Sequence, residues 1–260
     1  MSRPGRVEVL GVGVDAVTVD GLHAEIRRLV RRRGGVVLNA NVHCLNLCYK
    51  DPALRRFFGL ADLVFCDGAG VRVAARVLGG HLPEKITYAD WLPRLATFAE
   101  REGLSLFFLG ARPGVAAEAA KRFRATHPDL KIVGVRHGFF DPAAGSPENG
   151  VVVAEINAAR PDVLLLGLGM PLQERWLMEN RHGLDVGVAL TGGAVFDYAA
   201  GELRRGPRLL TDNGLEWLAR LLIEPRRLWR RYLFGNPVFL ARVLLQRLGP
   251  RARSRKKQEM

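Results

Sequence analysis

The sequence predicts an α/β protein: a Rossmann-like, doubly wound, mostly parallel sheet with helices on both faces, followed by a basic C-terminal helical appendage. Three observations carry that expectation. Short apolar runs alternate with longer helical patterns through about the first 200 of 260 residues, and such alternation builds parallel sheets through right-handed crossovers. The runs are continuous in Val, Leu and Phe, as strands covered on both faces require. Charge is uneven: of 39 Lys+Arg and 26 Asp+Glu, residues 204–260 hold 15 and 4. That segment carries +11 of the total +13, leaving +2 for residues 1–203.

The chain opens on a strand-like pattern without a secretory apolar core. Gly11-Val12-Gly13 is superficially a dinucleotide fingerprint, but the third glycine is absent, and Asp15 and Thr18 fit a turn into a helix starting near Gly21. Strands are expected over 36–41, 63–67, 104–109, 131–135, 163–168 and 186–191. Helices are expected over 89–102, 115–127, 151–159 and 172–181, with Gly103, Pro128 and Gly183 as stops. Residues 1–203 thus form the core, 204–248 the appendage and 249–260 a disordered basic tail. Hydrophobic residues at 48% and charged residues at 25% exclude wholesale disorder. The longest apolar stretch, 163–172, is interrupted by glycines and a proline and falls short of the roughly 18 residues of a spanning helix. Three cysteines suit reduced thiols in a cytoplasmic setting. Cys44 and Cys48 share a helix face beside His43, but without a second ligand pair they read as core packing. No Asp-x-Asp occurs, so a divalent ion on a diphosphate has no obvious ligands; no metal and no cofactor are expected.

In open α/β sheets ligands gather at the carboxyl ends of the strands. Those ends read Asn39-Ala40-Asn41, Asp67-Gly68-Ala69-Gly70, Gly110-Ala111-Arg112-Pro113-Gly114, Gly167-Leu168-Gly169-Met170-Pro171 and Thr191-Gly192-Gly193. Small and glycine-rich loops converging on one edge favour a nucleotide or nucleotide-sugar pocket, with Gly110, Gly169, Gly192 and Gly193 lining it through backbone N–H groups. Asp67, at the tip of an apolar strand, has two readings: a proton acceptor at the pocket mouth, or the cap of the helix that follows. Asn39 and Asn41, two apart on one strand, face the same way and suit sugar hydroxyls or an acetamido group; Asn also closes turns.

The appendage interleaves Arg with Trp, Leu and Phe, the composition of a helix lying in a lipid headgroup layer. Basic residues gain about 1 kcal/mol each near an anionic leaflet. On one continuous helix Arg220, Arg227 and Arg231 would share a face, although Pro225 is expected to break or kink it after Ile223. A second helical stretch is expected over 237–248.

Long motifs in a fixed order give the chain a resemblance. They are Ala61-Asp62-Leu63-Val64 leading to Asp67-Gly68-Ala69-Gly70, then Gly167-Leu168-Gly169-Met170-Pro171-Leu172-Gln173-Glu174-Arg175-Trp176. Gly192-Gly193-Ala194-Val195-Phe196-Asp197 and Ala200-Gly201 come next, followed by Gly214-Leu215-Glu216-Trp217-Leu218-Ala219-Arg220-Leu221 and Glu224-Pro225-Arg226-Arg227. Over roughly residues 8–240 the chain resembles bacterial glycosyltransferases of the WecG/TagA/CpsF family. The resemblance implies an inverting, metal-independent transfer of an N-acetylmannosamine-type sugar from a UDP-sugar donor to a polyprenyl-diphosphate-linked saccharide, in the building of teichoic acid, capsule or exopolysaccharide. It implies Asp67 as general base, Asn41 beside the donor sugar, Gln173 lining the pocket, and Arg220, Arg227 and Arg230 on the UDP diphosphate. The appendage would dock on an anionic membrane surface and complete the active site, placing the protein peripherally on the inner face of the cell membrane. Two positions depart from the family pattern: Asn39 stands for its usual Thr, and Lys85 for an Arg, keeping the charge but not the bidentate fork. Asn39 bears on how the sugar is held, and Lys85 on which donor or acceptor is taken. Homo-oligomerisation stays open. The rivals are a nucleotide-binding oxidoreductase, which lacks a proper glycine fingerprint, and a nucleic-acid-binding protein, which leaves Asp67 and the glycine loops without a purpose.

Overall fold

The computed structural model describes residues 5–249, so the expected basic tail lies, from residue 250 on, outside the described residues. A hairpin, β1 (Arg6–Val9) and β2 (Val12–Asp15), precedes α1 (Val19–Arg32), β3 (Gly35–Ala40), α2 (Val42–Lys50), α3 (Pro52–Leu60) and β4 (Leu63–Cys66). Then come α4 (Ala69–Val77), α5 (Tyr88–Glu102), β5 (Ser105–Gly110), α6 (Val115–Thr126), β6 (Lys131–Arg136), α7 (Pro147–Ala159) and β7 (Val163–Gly167). The chain continues through α8 (Leu172–Asn180), β8 (Val188–Thr191), α9 (Val195–Ala199), α10 (Arg208–Asp212), α11 (Glu216–Ile223) and α12 (Pro225–Trp229). A π-helical turn (Arg230–Phe234) leads into α13 (Gly235–Leu248).

Six parallel strands form one sheet in the order β4-β3-β8-β7-β5-β6. Their register brings the carboxyl ends together: Ala40 pairs with Cys66, Leu166 with Thr191, and Gly110 with Gly167. Successive side chains point to opposite faces. Leu38, Val64, Leu109 and Leu166 therefore pack under α2, α3, α4, α7, α8 and the hairpin, and Val37, Phe65, Phe108 and Leu165 under α1, α5, α6 and α9. Both faces are covered, which is why the strands read as unbroken apolar runs. Phe239 and Val243 of α13 belong to the first of these cores, so the appendage packs into the α/β body instead of standing apart. Cys44, Cys48 and Cys66 are free thiols buried there.

The amino-terminal glycines make a turn, not a phosphate loop. Leu10 and Gly11 take φ of 52° and 80°, the two positive values of a type I′ hairpin turn, and Val9 pairs with Val12. No helix opens on Gly11, which removes the basis for a dinucleotide site. The hairpin docks through Asp15, whose carboxylate holds Arg6 at 2.8 Å and accepts the Val64 N–H at 2.7 Å. Helix α7 starts four residues before the expected 151, because Ser146 caps it through the Asn149 N–H and Pro147 fits its first turn.

Candidate active site

The site is built on the ends of β3 and β4. The Asp67 N–H donates to the Ala40 carbonyl at 2.8 Å, continuing the β3–β4 ladder one residue past the strand and fixing the aspartate backbone at the sheet edge. Gly68 then takes φ of 101° and forms the N-cap of α4 without a side-chain hydrogen bond; a residue with a Cβ is strained there. Asp67 is thus not the helix cap. Its Oδ2 accepts from Asn39 Nδ2 at 2.7 Å and from Asn41 Nδ2 at 3.3 Å. Each amide is oriented from behind. Asn39 Oδ1 accepts from the Thr191 hydroxyl at 3.1 Å, and Asn41 Oδ1 accepts the Cys44 N–H at 3.0 Å as the N-cap of α2. A carboxylate accepts only, so both amide N–H groups face it, and both of these hydrogen bonds fall on Oδ2. Burial pushes the Asp67 carboxyl up; the Asn39 and Asn41 donors, with Arg231 and Arg220 nearby, pull it back toward the ionised form.

Above Asp67 opens a cavity of about 410 Å³. Cations on its walls are Lys85, Arg220 and Arg231; Glu216 is the other acid, pushed up by burial and by the Asp67 charge. Lys85 Nζ donates to the Thr211 carbonyl at 3.1 Å, tying the loop before α5 to α10. His43 also lines the cavity, its imidazole lowered to about 4 by burial and by Arg231, and so neutral at pH 7.

A second cavity of about 340 Å³ is lined by Arg112, Asp197, Glu202, Glu224 and Arg227, with Ala194 and Leu203. Glu224 links the two: its Oε2 lies 3.1 Å from Arg227 and 3.6 Å from Arg220.

The residues expected at the site divide among these places. Asp67, Asn41, Lys85 and Arg220 line the Asp67 cavity. Asn39 sits behind the aspartate, and Arg227 faces the second cavity. Arg230 lies outside both, its guanidinium 5.1 Å from the centroid of the Trp229 ring. Gln173 lines neither; fully buried, it ties two strand-end loops together, Oε1 accepting the Gly193 N–H at 2.9 Å and the Gly169 N–H at 3.3 Å. The Gly192 N–H donates to the Leu166 carbonyl at 2.7 Å. Gly110 serves close packing: a Cβ there would fall 2.3 Å from the Gly167 carbonyl carbon. The shared helical face of Arg220, Arg227 and Arg231 does not form. Glu224, at φ −126° and ψ 57°, ends α11 before Pro225 opens α12, and the break resets the helical phase. Arg231, whose buried Nε has no hydrogen-bond partner among the described residues, thereby reaches the Asp67 cavity. Thr191, Glu216 and Trp217 join the site as well; their signal in the sequence was membership of the strand-end loop and of the Gly214–Arg220 motif.

Among the described residues no group of three or more His, Cys, Asp or Glu side chains is arranged to hold a metal ion, and no helix is long and apolar enough to cross a membrane. What the site offers is an oriented carboxylate facing several guanidinium and ammonium groups, an arrangement suited to accepting a proton while an anionic group departs.

The N-acetylglucosaminyldiphosphoundecaprenol N-acetyl-beta-D-mannosaminyltransferase of Bacillus spizizenii is 30% identical over 222 residues, covering 85% of this chain and 83% of the relative. The protein of the same name from Bacillus subtilis is 26% identical over 200 residues, 77% and 75% of the two chains. Its Staphylococcus aureus counterpart is 25% identical over 245 residues, 93% of each. Residues 7–253 match the model of the glycosyl transferase WecG/TagA/CpsF family, and the chain belongs to that family.

Proposed function

We propose that this glycosyltransferase moves an N-acetylmannosamine-type sugar, or a related hexose, from a UDP-sugar to a polyprenyl-diphosphate-linked saccharide, with inversion and without a metal. The relatives carry the sugar and the lipid-linked N-acetylglucosamine acceptor in their names. One observation carries the reading: Asp67 is held by two oriented amides at the floor of a cavity walled by Lys85, Arg220 and Arg231.

The step is a single displacement. An acceptor hydroxyl oxygen attacks the anomeric carbon from the face opposite UDP and passes its proton to Asp67 Oδ1. The bond from that carbon to the β-phosphate oxygen breaks, its electron pair leaving with UDP. Positive side chains take the place a divalent ion would have at the leaving diphosphate; Arg220 and Arg227, linked through Glu224, suit that part. The product enters a cell-surface polymer such as teichoic acid, capsule or exopolysaccharide.

The appendage is the membrane-facing side of this reading. Trp229, Leu233, Phe234 and Leu245 are exposed, with Arg226 and Arg230 exposed nearby in the chain. Apolar side chains among cations suit an anionic leaflet, which supports a reading in which the enzyme works at the inner face of the membrane, where a lipid-linked acceptor is reached.

The test is UDP release with a polyprenyl-diphosphate-N-acetylglucosamine analogue and a panel of UDP-sugars, with and without EDTA. Acceptor-dependent release that survives EDTA is expected. Release abolished by EDTA removes the metal-independent mechanism, and no release with any donor removes the transfer.

A further inference from the structure

The Asp67 cavity has two walls of opposite character. One carries Lys85, Arg220 and Arg231 against the acids Asp67 and Glu216. Lys85 is engaged by the Thr211 carbonyl and Arg220 by Glu224, while Arg231 pairs with no acid among the described residues; the buried Nε atoms of Arg220 and Arg231 are both unpartnered there. The other wall is apolar: Val42, Val73, Phe239 and Leu240. Phe239 is anchored in the core, but Val73 and Leu240 reach the rim, 47% and 45% exposed. Leu244 lies one helical turn beyond Leu240 on α13 and is 52% exposed, so the apolar line runs out of the cavity onto the surface.

A nucleotide sugar carries no hydrocarbon tail to follow such an exit. A ligand with an anionic head and a hydrocarbon tail does, and a cavity of this size holds the head with the start of the tail. We propose that this cavity seats the acceptor lipid: its diphosphate on Arg231 and Lys85, its first isoprene units leaving over Val73 and Leu240 along Leu244, its sugar hydroxyl toward Asp67. The assignment rests on Asp67 acting on a lipid-linked acceptor. It separates two diphosphates, giving the acceptor's to Arg231 and the donor's to Arg220 and to Arg227 in the second cavity.

The test is calorimetric titration of the full chain with four probes: farnesyl diphosphate, inorganic pyrophosphate, a short-chain phosphatidate and UDP. Farnesyl diphosphate is expected to bind at least about tenfold more tightly than pyrophosphate and than phosphatidate, since the tail adds apolar burial. Arg231→Gln should weaken it about 10- to 100-fold, the range for a hydrogen bond to a charged group, while UDP affinity changes less than about threefold. Leu240→Ser, at an exposed position that the fold tolerates, should weaken farnesyl diphosphate about three- to tenfold and leave pyrophosphate unchanged. The assignment is overturned if Arg231→Gln costs UDP as much as farnesyl diphosphate. It is equally overturned if Leu240→Ser leaves the ratio of the two diphosphates unchanged, or if phosphatidate matches farnesyl diphosphate. Acceptor-dependent UDP release by the wild-type chain is measured alongside. Its absence removes the transfer reading and this assignment together, whereas intact release with any of the three contrary binding results removes the assignment alone.

Discussion

Glu174 contributes a pH-dependent part of the stability through a carboxyl that touches neither cavity. It is 1% exposed at the start of α8; Oε1 accepts from Gln173 Nε2 at 2.7 Å, and Oε2 is unpartnered among the described residues. Burial pushes it from 4.5 up to about 7. At about 1.36 kcal/mol per pH unit, that difference is a penalty of about 3 kcal/mol on the ionised form. The sign follows from linkage: an acid raised by folding binds its proton more tightly in the native state. The penalty is absent below about pH 4.5, grows as pH rises to about 7, and is full above it. Glu174→Gln keeps an acceptor for Gln173 and cannot ionise. Urea denaturation of both proteins at pH 5 and pH 8.5 checks this. The wild type should lose about 3 kcal/mol more than the variant between those values, less if the new amide N–H is left unpaired equally at both. Parallel pH dependence in the two proteins would refute the reasoning.

Three further outcomes follow from the same geometry. Asn39→Ala removes the 2.7 Å donor to ionised Asp67, so the acidic limb of the pH–rate profile should move to higher pH, and an unmoved limb contradicts the positioning role. Arg227→Gln should weaken UDP binding about tenfold by calorimetry, the worth of one charge-assisted hydrogen bond to phosphate, and unchanged affinity would remove Arg227 from the donor site. Replacing exposed Leu233 and Phe234 by Ser should reduce co-sedimentation with anionic vesicles severalfold, and equal sedimentation would remove that surface from the membrane reading.

The sheet was legible because its strands are buried on both faces: 63–67 and 163–168 differ from the observed β4 and β7 by one residue at an end. The strand order was not, since it depends on which apolar faces meet across the chain. The amino-terminal hairpin escaped because Leu10 carries no turn signature for its φ of 52°. At the site, Asp67 stood out as a charge at the end of an apolar run. That Asn39 serves Asp67 depends on Thr191, 152 positions away, holding its amide from behind. Choosing among the arginines failed to be legible for a local reason. Glu224 breaks the helix, so spacing measured across Pro225 loses its meaning, and Arg231 reaches the cavity while Arg230 stacks on Trp229.

The central claim is that Asp67 takes the acceptor's proton, and Asp67→Asn tests it most directly. Asparagine preserves the shape and cannot accept a proton from a hydroxyl at neutral pH. Turnover with the lipid-linked acceptor should fall about 10²- to 10⁴-fold, the usual contribution of a general base, while UDP affinity by calorimetry stays within about threefold of the wild type. Turnover near that of the wild type would contradict the account.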